Sequence, residues 1–143
     1  MPNAAKLIEI KGNAVASLPP TASVLESARL MNERHIGSVL VTDRKRLLGI
    51  FTERDVLRRV VAEQRDPATT ALADVMTSQV AFAAPHTTLD EIRRVMRERH
   101  IRHMPVLDRR RIVGMISIGD LNKAEHDGQA ETIKYLEQYM SVA

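Results

Sequence analysis

Leu48-Gly49-Ile50-Phe51-Thr52-Glu53-Arg54-Asp55 and Val113-Gly114-Met115-Ile116-Ser117-Ile118-Gly119-Asp120 follow one plan: an apolar run broken by glycine, then a hydroxyl residue with aspartate three positions later. The two stretches lie 65 residues apart, and upstream the same offset continues without a gap, laying Pro20–Asp55 over Pro85–Asp120. Fourteen of these 36 positions are identical, among them Glu33-Arg34-His35-Ile36 against Glu98-Arg99-His100-Ile101. A constant offset of this length marks a duplicated structural unit.

Both units read alike from local physics. Ser23-Val24-Leu25-Glu26 and Thr88-Leu89-Asp90-Glu91 have the spacing of capping boxes, in which hydroxyl and carboxylate satisfy the free donors of a helix start. Val24, Ala28 and Met31, and likewise Leu89, Ile92 and Met96, then recur at helical spacing and predict one apolar stripe per helix. Each stripe is followed by a predicted β-hairpin: Ser38–Thr42 and Leu47–Phe51 turning at Asp43-Arg44-Lys45-Arg46, and Met104–Leu107 and Ile112–Ile116 turning at Asp108-Arg109-Arg110-Arg111. In the first unit a second helix is expected from Thr52 to about Glu63, with Val56, Leu57, Val60 and Val61 on one side. Short extended segments are expected ahead of the capped helices, at Asn13–Ala16 and Gln79–Phe82.

The expected fold is therefore α+β, two β-α-β-β-α repeats over residues 8–64 and 72–126, joined through Gln64–Thr70. Units of about 60 residues bury too little surface to stand alone, so they should pack on each other about a pseudo-two-fold axis. Ile133, Leu136 and Tyr139 or Met140 predict an unrepeated C-terminal helix over 127–143. Tyr135 and Tyr139 on it suit either a dimer interface or closure over the chain's own core.

With 143 residues, two separate enzyme domains do not fit. Apolar residues at 44% and charged residues at 27% are those of a folded soluble chain. The longest apolar runs fall far short of the roughly 18 residues of a membrane span. The N-terminus lacks the pattern of a secretory leader and cysteine is absent, so the cytoplasm is the expected compartment. The net charge of +3 leans toward an anionic ligand, and an aromatic content of 3% disfavours base-stacking on nucleic acid.

At this point the residues resemble a known family, the paired cystathionine-β-synthase-type (CBS) domains or Bateman module, in the form of a stand-alone bacterial-type signal-transduction protein. The resemblance is carried by Gly37-Ser38-Val39-Leu40-Val41 with Leu48–Asp55, by Ile101-Arg102-His103-Met104-Pro105-Val106 with Val113–Asp120, and by Asp74-Val75-Met76-Thr77. It implies two clefts between the repeats that take AMP, ADP or ATP, with NAD or S-adenosylmethionine as further possibilities. It also implies a module that senses rather than catalyses, a homodimer, and an effector protein encoded elsewhere.

Thr52 with Asp55 and Ser117 with Asp120 stand where a strand passes into a helix. The spacing fits a helix cap as well as a site where carboxylate and hydroxyl meet a ribose and the helix start meets phosphate. The resemblance assigns them to ribose and phosphate. Arg54 faces Gly119 across the alignment, and Arg102 and His103 face Gly37 and Ser38, so the clefts should differ. The resemblance lets Arg54, Arg102 and His103 reach phosphates, lets Gly37 and Ser38 bring the backbone close to adenine, and makes Met104, Pro105, Val15 and Val80 the apolar walls around the ring.

No metal is expected, since His100-x-x-His103 lacks the further ligands of a zinc site. His35 and His100 read as structural residues at helix ends. No nucleophile motif or Gly-rich phosphate loop with lysine is present, so enzymatic activity has no carrier. The basic turns read as solvated hairpin tips. The competing functional class is a ligand-free structural interaction or dimerisation module.

Overall fold

The computed structural model describes residues 2–128, so all but the first two residues of the expected C-terminal helix, and both of its tyrosines, lie outside the described residues. The elements run α1 (Ala4–Lys11), β1 (Ser17–Leu18), α2 (Val24–Arg34), β2 (Ser38–Asp43), β3 (Arg46–Thr52) and α3 (Glu53–Asp55). After a π-helical stretch, Val56–Val61, come α4 (Leu72–Val75), α5 (Leu89–Arg99), β4 (His103–Asp108), β5 (Arg111–Ser117) and α6 (Ile118–Gly128). β1, β2 and β3 form one sheet, with β1 parallel and β3 antiparallel to β2, and β4 and β5 form a second. This is the α+β duplication expected from the offset of 65.

Both hairpins close with two-residue turns whose central residues, Arg44 and Lys45 or Arg109 and Arg110, have positive φ. Such turns match the right-handed twist of the flanking strands. In each hairpin one residue, Leu48 or Val113, is left over as a bulge beside Gly49 or Gly114. The capped helices also agree at their ends. His35 and His100 are left-handed C-caps with φ of 55°, donating their N–H groups to Met31 and Met96 carbonyls.

Several expectations are corrected. Thr88 and Glu91 form a reciprocal capping box, but in the first repeat only the Ser23 hydroxyl engages, accepting from the Glu26 N–H. The buried stripe of α2 is Val24, Ser27 and Met31 rather than one through Ala28; Ser27 is accommodated because its hydroxyl donates to the Val24 carbonyl at 2.8 Å. On the π-helical stretch Val60 is buried, whereas Leu57 and Val61 are 61% and 62% exposed. Adjacent helical residues diverge by about a quarter turn, and the sheet covers one stripe only. The extended segments fall later than expected: β1 is Ser17–Leu18, and its counterpart is the single bridge of Ala83 to Val106.

Helix α1, which no motif announced, shows how the repeats are joined. Its first amides donate to the Thr87 and Pro85 carbonyls of the second repeat, while those of α4 donate to Ala22 and Pro20 of the first. Ala4 and Leu7 are buried with Ile92, Met96 and Ile116, and Leu72 and Val75 with Val24, Met31 and Phe51. Each repeat is thus completed by the helix that precedes the other. Fully burying one such aliphatic side chain contributes roughly 1.5–3 kcal/mol.

Helix α1 and the residues that follow α4 press on the two hairpin glycines. A Cβ on Gly49 would stand 2.8 Å from the Thr77 carbonyl oxygen and 2.6 Å from Met76 Sδ, and one on Gly114 would stand 2.5 Å from Ile8 Cδ1. Both Gly→Ala variants should lose stability, by about 1–3 kcal/mol. Gly49→Ala should lose more, because it meets backbone as well as side chain, whereas Ile8 can change rotamer. Urea unfolding of the two variants against wild type measures the difference.

Candidate functional site

Packing the repeats through exchanged helices leaves two clefts between them. The larger, about 710 Å3, is walled by Thr52, Arg54 and Asp55 from the first repeat and by Val80, Ile101, Arg102 and His103 from the second. The smaller, about 270 Å3, is walled by Ser117 and Asp120 from the second repeat, by Val15, Gly37 and Ser38 from the first, and again by His103. Most of the singled-out residues are therefore gathered in two groups, each drawn from both repeats. Met104 and Pro105 are not: both are buried and neither lines a cleft. β4 is covered on both faces over this stretch, so alternation leaves no side free for a ligand.

The two aspartates sit in matching local geometry. Asp55 Oδ2 accepts from the Thr52 N–H at 2.9 Å, and the Thr52 hydroxyl accepts from the Asp55 N–H at 3.3 Å. Ser117 and Asp120 exchange the same bonds at 2.8 and 3.1 Å. Both pairs act as helix caps, and capping occupies one carboxylate oxygen in each. The remaining bonds differ. Asp55 Oδ1 lies 3.6 Å from Arg59 Nε, and the Arg59 guanidinium donates to the Val75 and Met76 carbonyls at the end of α4. Asp120 is met by Lys11, at the end of α1, whose ammonium lies 2.6 Å from Oδ2 and donates also to the Met115 carbonyl.

A family model described as the CBS domain matches residues 9–62 and 72–127. The chain belongs to the CBS domain family. It is 31% identical over 107 residues to the CBS domain-containing protein YhcV of Bacillus subtilis, covering 75% of this chain and 76% of that one. It spans less of longer relatives from Arabidopsis thaliana, 60% of one and 23% of another. Among solved structures, a protein with CBS domains from Burkholderia ambifaria superposes with a TM-score of 0.86 at 35% identity, over 89% of this chain and 96% of that one. A CBS domain protein from Pyrobaculum aerophilum complexed with AMP gives 0.74 at 27%, over 82% and 88%.

Within this CBS pair His103 occupies the wall common to both clefts. Its ring reaches over Gly37: a Cβ there would come within 3.0 Å of His103 Nε2 and 3.1 Å of Glu53 Oε1, so any larger residue requires both side chains to give way by a few tenths of an ångström. Burial lowers the His103 pKa below the usual histidine range and outweighs the opposing pull of Glu53 and Asp120, with Lys11 and Arg102 acting in the same sense as burial. Asp120 lies below the ordinary carboxylate range. Burial acts upward on it, but the Lys11 ammonium and the Ser117 N–H outweigh that.

Lys11, Arg58 and Arg99 line the CBS clefts without having been anticipated. Arg58 follows a quoted motif and Arg99 lies inside one, but Lys11 belongs to no repeated position and becomes visible only once α1 is placed on the second repeat. Among the described residues no three His, Asp or Glu side chains gather as a metal site, and no helix is long and apolar enough to cross a membrane.

The lowered His103 pKa predicts acid sensitivity. The unfolded chain takes up a proton at this residue before the folded one does, so its stabilising contribution is complete above the ordinary histidine pKa and is lost as the pH falls through the lowered one. Replacing it with the other repeat's residue, His103→Ser, should flatten the fall in thermal midpoint between neutral pH and about pH 5. An unchanged slope refutes the assignment.

Proposed function

We propose that this CBS pair is a non-catalytic sensor that binds an adenine nucleotide in its larger cleft and signals to a partner protein through a change in repeat packing. The observation that carries the reading is the convergence of Thr52 and Asp55 with the apolar Val80 and Ile101 and the cationic Arg54 and Arg102 on one cleft of about 710 Å3. Ligand sites combine apolar walls with a few placed polar groups in this way. The Asp55 carboxylate takes the ribose hydroxyls, Val80 and Ile101 flank adenine, and the arginines take phosphate. AMP in the Pyrobaculum relative supports the same ligand class here. ADP and ATP suit the cleft by the same chemistry, and NAD and S-adenosylmethionine share its adenosine portion.

The functional unit proposed is the pair of repeats at 8–64 and 72–126, acting as a cytoplasmic homodimer. Self-association of a related CBS-CP12 protein as a hexamer supports assembly in this family. A second reading applies to the smaller cleft, where Lys11 already holds Asp120. There the Ser117–Asp120 pair acts as a cap and the cleft is structural. CBS pairs are regulatory modules, and only unequal ligand affinity for two arrangements of the repeats can drive a signal.

Calorimetry with AMP, ATP, NAD and S-adenosylmethionine, alongside native mass spectrometry, tests this reading. One nucleotide per chain is expected. Asp55→Ala should weaken binding about ten-fold or more, while Asp120→Ala changes it little. Absence of binding by all four at millimolar concentration refutes the reading.

A further inference from the structure

Four of the differences between the repeats meet at one place on the surface. Arg54, Arg93, Arg97 and Arg102 stand where the other repeat carries Gly119, Ala28, Asn32 and Gly37, all uncharged. In space the four arginines converge: with His100 they ring an open hollow of about 470 Å3 floored by Met96, Ile101 and Ile118. Arg54, His100, Ile101 and Arg102 also wall the larger cleft, so the hollow is its continuation.

Two of the guanidiniums are engaged. Arg54 donates to the His100 carbonyl at 3.1 Å, and Arg93 pairs with Glu125 at 3.3 Å and donates to Asn122. Arg97 and Arg102 form no ion pair among the described residues, and no carboxylate lines the hollow. Arg93 and Arg97 lie one turn apart on α5, a spacing at which like charges destabilise a helix. An anion of several charges relieves that repulsion, and guanidinium groups hold phosphate oxygens two at a time.

We propose that the hollow receives the polyphosphate tail of a nucleotide whose ribose is held at Thr52 and Asp55, so that the larger cleft prefers nucleoside di- and triphosphates to monophosphates. The proposal rests on the nucleotide reading above and adds the ligand's phosphate chain to it. A monophosphate engages the shared rim at Arg54 and Arg102, and each further phosphate advances toward Arg97.

The test is calorimetry at fixed ionic strength with AMP, ADP, ATP and inorganic tripolyphosphate, on the wild-type chain, Arg97→Asn and Arg93→Ala. Both substitutions install the residue of the other repeat on α5, where Arg97 is exposed and Arg93 half-buried, and thermal midpoints verify folding. ATP should bind about ten-fold or more tightly than AMP. Arg97→Asn should cut that ratio to about three or less while leaving AMP affinity unchanged, and should abolish tripolyphosphate binding. AMP binding with no preference for ATP, or a preference that survives in both variants, overturns this proposal and leaves the nucleotide reading standing. No binding by any nucleotide overturns both.

Discussion

The architecture depends on an exchange of helices. Neither core closes on its own repeat: Ala4 and Leu7 complete the second, and Leu72 and Val75 complete the first. The first amides of α1 and α4, which no intrahelical carbonyl can satisfy, are bonded across the repeats at 2.9 to 3.1 Å. This double crossing fixes how the repeats face each other and therefore forms the clefts. It also places a cation from the end of an exchanged helix, or one bonded to that end, beside each aspartate: Lys11 at Asp120 and Arg59 at Asp55. Both aspartates are thus bonded into the joint between the repeats.

From a common plan, the two clefts have diverged in opposite directions. In one, an intramolecular ammonium pairs with the carboxylate and the space is the smaller. In the other, arginines surround the pair and the space opens outward. His103 stands in the wall between them, beside Glu53 and Asp120, and its charge is sensitive to both sides. Duplication supplied two equivalent sites, and a handful of substitutions made them chemically distinct.

Features written in local sequence were legible before the structure. The hairpins, the Thr88–Glu91 box and the histidine caps all depend on residues within a few positions of one another, and they occur where the pattern places them. The crossing of Arg102 and His103 to the cleft of the opposite repeat followed from the resemblance rather than from spacing. What was hidden depends on distant partners. Helix α1 is short, and Lys11 acquires its role from a residue 109 positions away. Met104 and Pro105 are adjacent to cleft residues in sequence, yet both faces of their strand are covered. Ser27 is buried because a hydroxyl can be satisfied by its own helix, which apolar periodicity does not register.

The exchange carries an implication for how such a chain could arise. One repeat with its own leading helix cannot cover its core, but two identical copies can, by trading helices across a two-fold axis. A half-length ancestor would thus have been an obligate dimer. Fusing its copies through the short segment at 64–70 turned a bimolecular encounter into an intramolecular one at high effective concentration. It also freed the two halves to mutate independently, which a symmetric dimer of identical subunits cannot do.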